Sequence, residues 1–322
     1  MNLTAFFLFG SKLLIAAGSF VFPGCVYSET NGNGANPQAD NSTNKSVSPY
    51  VGSSECRECH SSFYEKWAPS HHGLAMQPYT PDFARAKLTA SNATVTIGKY
   101  DYKADVHGAT GLVWEQGPEG RKSFPMAHVM GGKNVYYFLT PAERGRLQVL
   151  PIAYDVRRKE WFDTTASAVR HFRDRPDEAL NWREKPLTFN SSCHACHVSQ
   201  MSANYDLGTD TYHTTWREPG ISCETCHGPA EEHVRVCRAA SRDKPPGGLK
   251  IIVTKKFSHE QMNSLCAPCH AKMSSITNAG KPGDPFFDQY DLAAYEDRDF
   301  HPDGRDLGEN YTYTQWLRSP CV

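Results

Sequence analysis

Four times in 322 residues the chain reads Cys-x-x-Cys-His: at Cys56–His60 (motif 1), Cys193–His197 (motif 2), Cys223–His227 (motif 3) and Cys266–His270 (motif 4). Two thiols two residues apart can each add to a vinyl group of a haem, and the histidine that follows can place its imidazole on the iron. One such pentapeptide could arise by chance; four could not. A zinc ribbon joins two Cys-x-x-Cys pairs into one tetrahedral site and needs no histidine after every pair. A thioredoxin-like dithiol needs one pair, and a disulfide framework needs no histidine at all. The expected cofactor is therefore haem c, four copies with their iron. Cys56, Cys59, Cys193, Cys196, Cys223, Cys226, Cys266 and Cys269 would tether the porphyrins, and His60, His197, His227 and His270 would ligate the metal.

Each iron so held has a sixth position to fill. Of fourteen histidines ten remain, enough for four distal ligands. Full occupancy by two imidazoles closes the iron to substrates and points to electron transfer, whereas an open position permits small-molecule chemistry. His72, in Ser70-His71-His72-Gly73, and His233, in His227-Gly228-Pro229-Ala230-Glu231-Glu232-His233, rank first. Pro229 suits a first helical position and Glu231 and Glu232 a first turn, so a helix there would present His233 and Cys237 on one face. His128, His171, His213 and His301 follow, each equally suited to an ordinary hydrogen bond, while His194 lies inside its own haem loop. Met76 is a candidate axial thioether. Arg157, Arg158, Arg170, Arg173 and Arg175 could neutralise haem propionates or form a solvated basic face. No Ser-His-Asp order, glycine-rich phosphate loop or carboxylate pair stands out, so no catalytic residue is assigned.

The elements that must position these groups are modest. Hydrophobic residues make up 39% of the chain and mean hydropathy is −0.56, so flat apolar haems are expected to stand in for much of the core. A net charge of −1 without a Lys/Arg-rich block excludes nucleic acid as a partner. Residues 1–28 have the layout of an export signal, with Lys12, the apolar run Leu13 to Phe22, and then Pro23-Gly24-Cys25. Cleavage after Gly24 would leave Cys25 as a lipid-modified first residue; cleavage after Ser28 would not. An uncleaved anchor from Leu3 to Phe22 would be of minimal length for a bilayer. Residues 29–49, rich in Asn, Ser, Gly and Thr, read as a flexible linker.

A haem domain is expected over 50–322. It opens with motif 1 and a short helix through Ser62 to Trp67. A β-rich insertion follows at 91–165, with strands at Ala93 to Ile97, Tyr100 to Val106, Asn134 to Leu139 and Arg146 to Tyr154, and an edge or bulge at Pro151. Three motifs then crowd into 190–275, close enough for their haems to touch. The fold class expected is α+β and largely irregular, with short helices and loops wrapping stacked haems.

The stretches Cys56 to Met76, Met130 to Leu139, Leu147 to Asp163, Asn190 to Tyr205 and Glu218 to His233 resemble the exported multihaem cytochromes c of the cytochrome c-554 type. The resemblance implies a periplasmic electron carrier with haems in close stacked pairs. It implies distal histidines supplied from elsewhere in the fold, His72 and His233 foremost. Its redox partners would be an oxidoreductase or a quinol-linked membrane complex. Longer relatives continue past Tyr311 to Trp316 into further haem motifs, so a truncated product is expected, with Cys321 a free thiol or a disulfide partner of Cys237. An enzyme acting on a small nitrogen or oxygen species at a five-coordinate haem is the alternative, and a haem-based sensor or interaction module a third.

Overall fold

The computed structural model describes residues 48–317 apart from 167–168, 171–173, 175, 177, 242, 278, 294–299 and 302–311. The export signal, the linker as far as residue 47, Cys25, His171, Arg173, Arg175 and Cys321 lie outside the described residues, and with them any pairing of Cys321 with Cys237.

The chain is α+β, built from short helices and several small sheets. Motif 1 occupies α1 (Ser53–Arg57) and the turn into α2 (Ser61–Trp67). Strand β1 (Met76–Pro78) and helix α3 (Pro81–Lys87) follow. Thr80 caps α3 by accepting from the Phe83 N–H at 3.1 Å, and Pro81 occupies the first turn, where its missing N–H costs nothing.

Two antiparallel sheets come next. β2 (Val95–Ile97), β3 (Tyr100–Asp105), β4 (Leu112–Gly117) and β5 (Gly120–Pro125) form a meander in chain order. β6 (His128–Gly131), β7 (Val135–Pro141), β8 (Leu147–Val149), β9 (Ile152–Asp155) and β10 (Glu160–Asp163) join β1 in the second sheet. Alternation explains β3, where Tyr102 and Ala104 point inward and Asp101 and Lys103 outward. The single strand expected over Arg146 to Tyr154 is instead two, β8 and β9, separated at Leu150-Pro151. Proline lacks the N–H that would continue the ladder, so the chain steps from one pairing on β7 to another.

Between the sheets Tyr79, Phe83, Tyr102, Val113, Phe138, Leu150, Ile152, Tyr154, Trp161 and Trp182 form the main core. A second cluster, Met76, Met130, Leu139, Val149, Phe189 and Val198, binds the sheet to motif 2 and takes in Cys193 and Trp216 at its margin. Met76, a candidate axial thioether, is wholly buried there among these side chains. Arg157 and Arg158 lie at the β9–β10 turn, where Arg158 pairs with Glu160, both side chains more than half exposed; these two belong to a solvated face.

One buried charge stiffens the first sheet. Glu115 is 2% exposed and accepts from the Tyr102 hydroxyl at 2.8 Å and from the Arg183 guanidinium at 2.6 Å, which itself stacks over Trp182 at 4.2 Å. Burial and the Glu115 carboxylate together push the Tyr102 phenol up to about 12. Removing one partner of a buried pair leaves the other uncompensated, so Arg183→Ala is expected to destabilise by about 3 kcal/mol, measured as a fall in the denaturant midpoint.

α4 (His194–His197) carries motif 2, α5 (Cys223–His227) motif 3, and α6 (Glu231–Arg238) follows directly. Pro229 precedes the Ala230 N-cap of α6 instead of opening the helix, because a Gly228 with φ of +74° turns the chain first. α7 (His259–His270) ends in motif 4. It is held at its start by a capping box, Ser258 accepting from the Gln261 N–H at 3.2 Å and the Gln261 side chain from the Ser258 N–H at 3.1 Å. α8 (Phe286–Gln289) and α9 (Thr312–Trp316) pack Phe286 and Tyr313 beneath α7. Among the described residues no helix is long and apolar enough to cross a membrane.

Candidate functional site

The four motifs converge. The Cys56 thiol donates to the Cys223 sulfur, which draws Cys223 down to about 6 and holds Cys56 well above the usual thiol range. Cys269 is hydrogen-bonded to Cys196, which with burial raises it far above that range, and its sulfur also lies 3.7 Å from the Ala195 carbonyl. Burial raises Cys226, and then nearby Cys266 and Cys223 do so further. Motif 1 therefore adjoins motif 3, motif 3 adjoins motif 4, and motif 4 adjoins motif 2. None of Cys56, Cys59, Cys223, Cys226, Cys266 and Cys269 is spent in a disulfide. Among the described residues no three of His, Cys, Asp and Glu gather as a structural metal site would require.

The histidines carry the sharper geometry. The ring centres of His60 and His233 lie 6.4 Å apart with planes 16° from parallel. Those of His72 and His270 lie 6.2 Å apart with planes at 68°. An imidazole on each side of one metal ion, at bonds of about 2.0–2.1 Å, sets its ring centres roughly 6.3 Å apart. Both pairs thus fit an iron between them. Each joins a motif histidine to one of the two distal candidates ranked first from sequence, and each distal candidate comes from a segment next to a different motif.

Tautomers agree. His233 Nδ1 lies 2.7 Å from the Leu249 carbonyl, His197 Nδ1 2.7 Å from the Ala75 carbonyl, and His227 Nδ1 2.9 Å from the Ile252 carbonyl. A carbonyl can only accept, so Nδ1 donates and the Nε2 lone pair is left for a metal. Burial, and then His72 beside it, hold the His270 imidazole below the ordinary histidine range, which keeps it in the neutral form that ligates.

Backbone contacts hold the second pair in place. The Ile221 N–H donates to the His72 carbonyl at 2.8 Å, and the Gly220 N–H to the His197 carbonyl at 3.0 Å. Gly220 has a φ of +78°, and a Cβ there would lie 2.4 Å from the Gly73 carbonyl oxygen and 3.0 Å from that of His72. Gly220→Ala is expected to cost about 1–3 kcal/mol in thermal unfolding and to displace the His72 loop, seen as a high-spin shoulder in the visible spectrum.

The remaining candidates sit elsewhere. His128 and His194 each bury an Nδ1 without a hydrogen-bond partner, and burial lowers both. His128 packs edge-on against Trp216, ring centres 5.5 Å apart. His213 and His301 are exposed. Cys237 Sγ lies 3.6 Å from His233 Nδ1, one helical turn away as the sequence suggests.

The family model described as cytochrome c554 and c-prime matches residues 55–122 and 157–228, which include motifs 1, 2 and 3. Over those residues the chain resembles the multihaem cytochromes c. Haem c bound covalently is the cofactor of that family, and in this cytochrome the paired thiols and neighbouring imidazoles fit it. The fold resembles that of the outer cell wall cytochrome OcwA, with a TM-score of 0.53 and 17% identity over 84% of this cytochrome and 51% of OcwA. The chain thus spans about half the length of that relative. An undecaheme cytochrome from the S-layer of Carboxydothermus ferrireducens also matches, with a TM-score of 0.39 and 19% identity over 72% of this cytochrome and 28% of that chain. No curated protein matches the sequence.

Sequence reasoning missed what braces this cytochrome's motifs. Glu218 accepts from the Ser53 N–H at 3.0 Å and its hydroxyl at 2.9 Å, and Ser53 in turn accepts from the Cys223 N–H at 3.1 Å. The Trp67 indole donates to the Ile221 carbonyl at 2.8 Å. Asn190, 2% exposed, accepts from the Leu147 N–H at 2.7 Å and donates to Thr214 at 2.7 Å, tying the entry to motif 2 to β8. These residues have no local pattern, since each acts on a segment distant in sequence.

Proposed function

We propose that this cytochrome is an exported electron carrier with four covalently attached haems, conducting along the order motif 1, motif 3, motif 4, motif 2. The observation that carries the proposal is the contact between successive motifs: the Cys223 N–H donates to Ser53 of α1 at 3.1 Å, Cys269 Sγ lies 3.7 Å from the Ala195 carbonyl, and Cys226 lies beside Cys266. Each thiol tethers a porphyrin edge, so adjacent thiols hold adjacent edges close. Each haem, when bound, supplies an iron that alternates between ferrous and ferric states.

The chain's own residues do the rest. His60 with His233, and His72 with His270, would each hold one iron between two imidazoles and so keep substrate from it. His197 and His227 would ligate the other two, oriented by the Ala75 and Ile252 carbonyls. The pieces proposed are an export signal over 1–28, a linker over 29–49 and a haem domain over 50–322, with its β-rich insertion at 91–165 and its three-haem cluster at 190–275. Export is supported by the apolar N-terminal run and by haem c attachment itself. The partners fitting such a carrier are an oxidoreductase or a quinol-linked membrane complex.

Electron paramagnetic resonance of the ferric protein tests this function. Low-spin iron at the two doubly ligated haems, and no haem signal that shifts with nitrite, hydroxylamine or nitric oxide, is the expected result. A high-spin component that shifts with any of the three would overturn the carrier in favour of an enzyme.

A further inference from the structure

Glu224 is one of the two spacer residues of motif 3, a position haem attachment leaves free to vary, yet its side chain is among the most buried charged groups of the chain, 2% exposed. One carboxylate oxygen accepts from the Val51 N–H at 3.0 Å and the Ala230 N–H at 2.8 Å; the other accepts from the Gly52 N–H at 2.8 Å. Val51 and Gly52 lead directly into α1, which carries Cys56, and Ala230 is the N-cap of α6, whose first turn carries His233.

One carboxylate therefore grips both the segment that brings the proximal imidazole of the motif-1 haem and the helix that brings the distal one. We infer that Glu224 is a positioning residue for the axial ligands of the motif-1 haem, acting across from the motif that holds its neighbour. The inference rests on the assignment of His60 and His233 to one iron.

The chemistry favours a carboxylate here. Three N–H donors converge on two oxygens, and charge-assisted bonds of this kind are about twice as strong as neutral ones. A buried carboxylate with this many donors is also satisfied, so it persists without a cation. A glutamine amide offers one acceptor oxygen and turns N–H donors of its own toward either Gly52 or the Val51–Ala230 pair. The far end of α6 is fastened to the same segment, Arg238 reaching Glu55 at 3.0 Å and Glu58 at 2.6 Å, but these groups are exposed and contribute less. With both ends of α6 held to motif 1, His233 stands 16° from the plane of His60, whereas the pair without this clamp, His72 and His270, sits at 68°.

The test uses the full-length matured protein carrying Glu224→Ala, Glu224→Gln or His233→Ala, each checked by mass for an unchanged number of haems. Near-parallel imidazoles give ferric iron a rhombic low-spin resonance, and steeply crossed ones a single, highly anisotropic feature. Glu224→Ala is expected to lose the rhombic signal, with the high-spin iron of one haem appearing and reverting on addition of imidazole. Glu224→Gln is expected to keep that iron low-spin and to shift its signal toward greater anisotropy. If Glu224→Ala does not mature, the glutamine variant decides alone. A wild-type resonance in the Glu224 variants, with the rhombic signal lost in His233→Ala, overturns the clamp and leaves the ligand assignment standing. A His233→Ala spectrum with as many rhombic low-spin irons as the wild type overturns the assignment, and the clamp with it.

Discussion

His72→Ala is expected to turn the motif-4 haem from low-spin to high-spin, one haem in four, while His71→Ala leaves the spectrum unchanged. The two histidines are neighbours of like exposure in one loop, and composition does not distinguish them. Geometry does, because the His72 ring stands 6.2 Å from that of His270, at the separation a shared iron would set. The loop is anchored by its backbone, with the Ile221 N–H on the His72 carbonyl at 2.8 Å and Gly220 packed on Gly73. Truncating the side chain therefore leaves the loop where it is and the coordination position open. Added imidazole should enter and restore the low-spin spectrum. Absorption and resonance spectra of the two variants, with and without imidazole, check the pair of outcomes, and a silent His72→Ala would remove His72 from the metal.

The second large effect concerns conduction. Cys223→Ala with Cys226→Ala removes the tether of the haem that, in the proposed order, lies between motif 1 and motif 4. The expected product carries one haem fewer, and its remaining haems fall into two groups, that of motif 1 alone and those of motifs 4 and 2 together. Reduction by a slow reductant should become biphasic, with one haem of the remaining three lagging. Because Glu224 and Glu218 bind backbone N–H groups rather than haem, the protein scaffold around motif 1 should persist, and the loss should lie in transfer more than in folding. Stopped-flow absorption following reduction separates the two cases; a single phase would mean that motif 3 is not the link.

How much of this was legible in the sequence follows from how far each interaction reaches. Haem attachment is written within five consecutive residues, so the thiols and proximal histidines stand out at once. The distal histidines could be ranked, since Ser70 to Gly73 has little else to do and Pro229 to Glu232 reads as the start of a helix carrying His233, but not paired. His60 with His233 and His72 with His270 each join opposite parts of the chain. Strand β3 was visible as alternation. β4 and β5 were not, since the inward Glu115 reads as a polar residue in a solvated position and its partner Arg183 lies far along the chain. Pro151, which reads as an edge or a bulge, is the boundary between two strands. Helix α7 opens with His259-Glu260-Gln261-Met262-Asn263, in which Met262 alone is apolar, and its capping box shows only once the helix is known. Glu224 was the most thoroughly hidden, a charged spacer in a haem motif whose three partners come from either side of it.

The central claim is that porphyrin is joined covalently to all four motifs, and the mass of the denatured, export-matured protein tests it most directly. The account predicts a single species heavier than the processed polypeptide by four haem groups, its colour retained after acid–organic extraction. A mass equal to the bare polypeptide, or an addition of fewer than four haems, would contradict it.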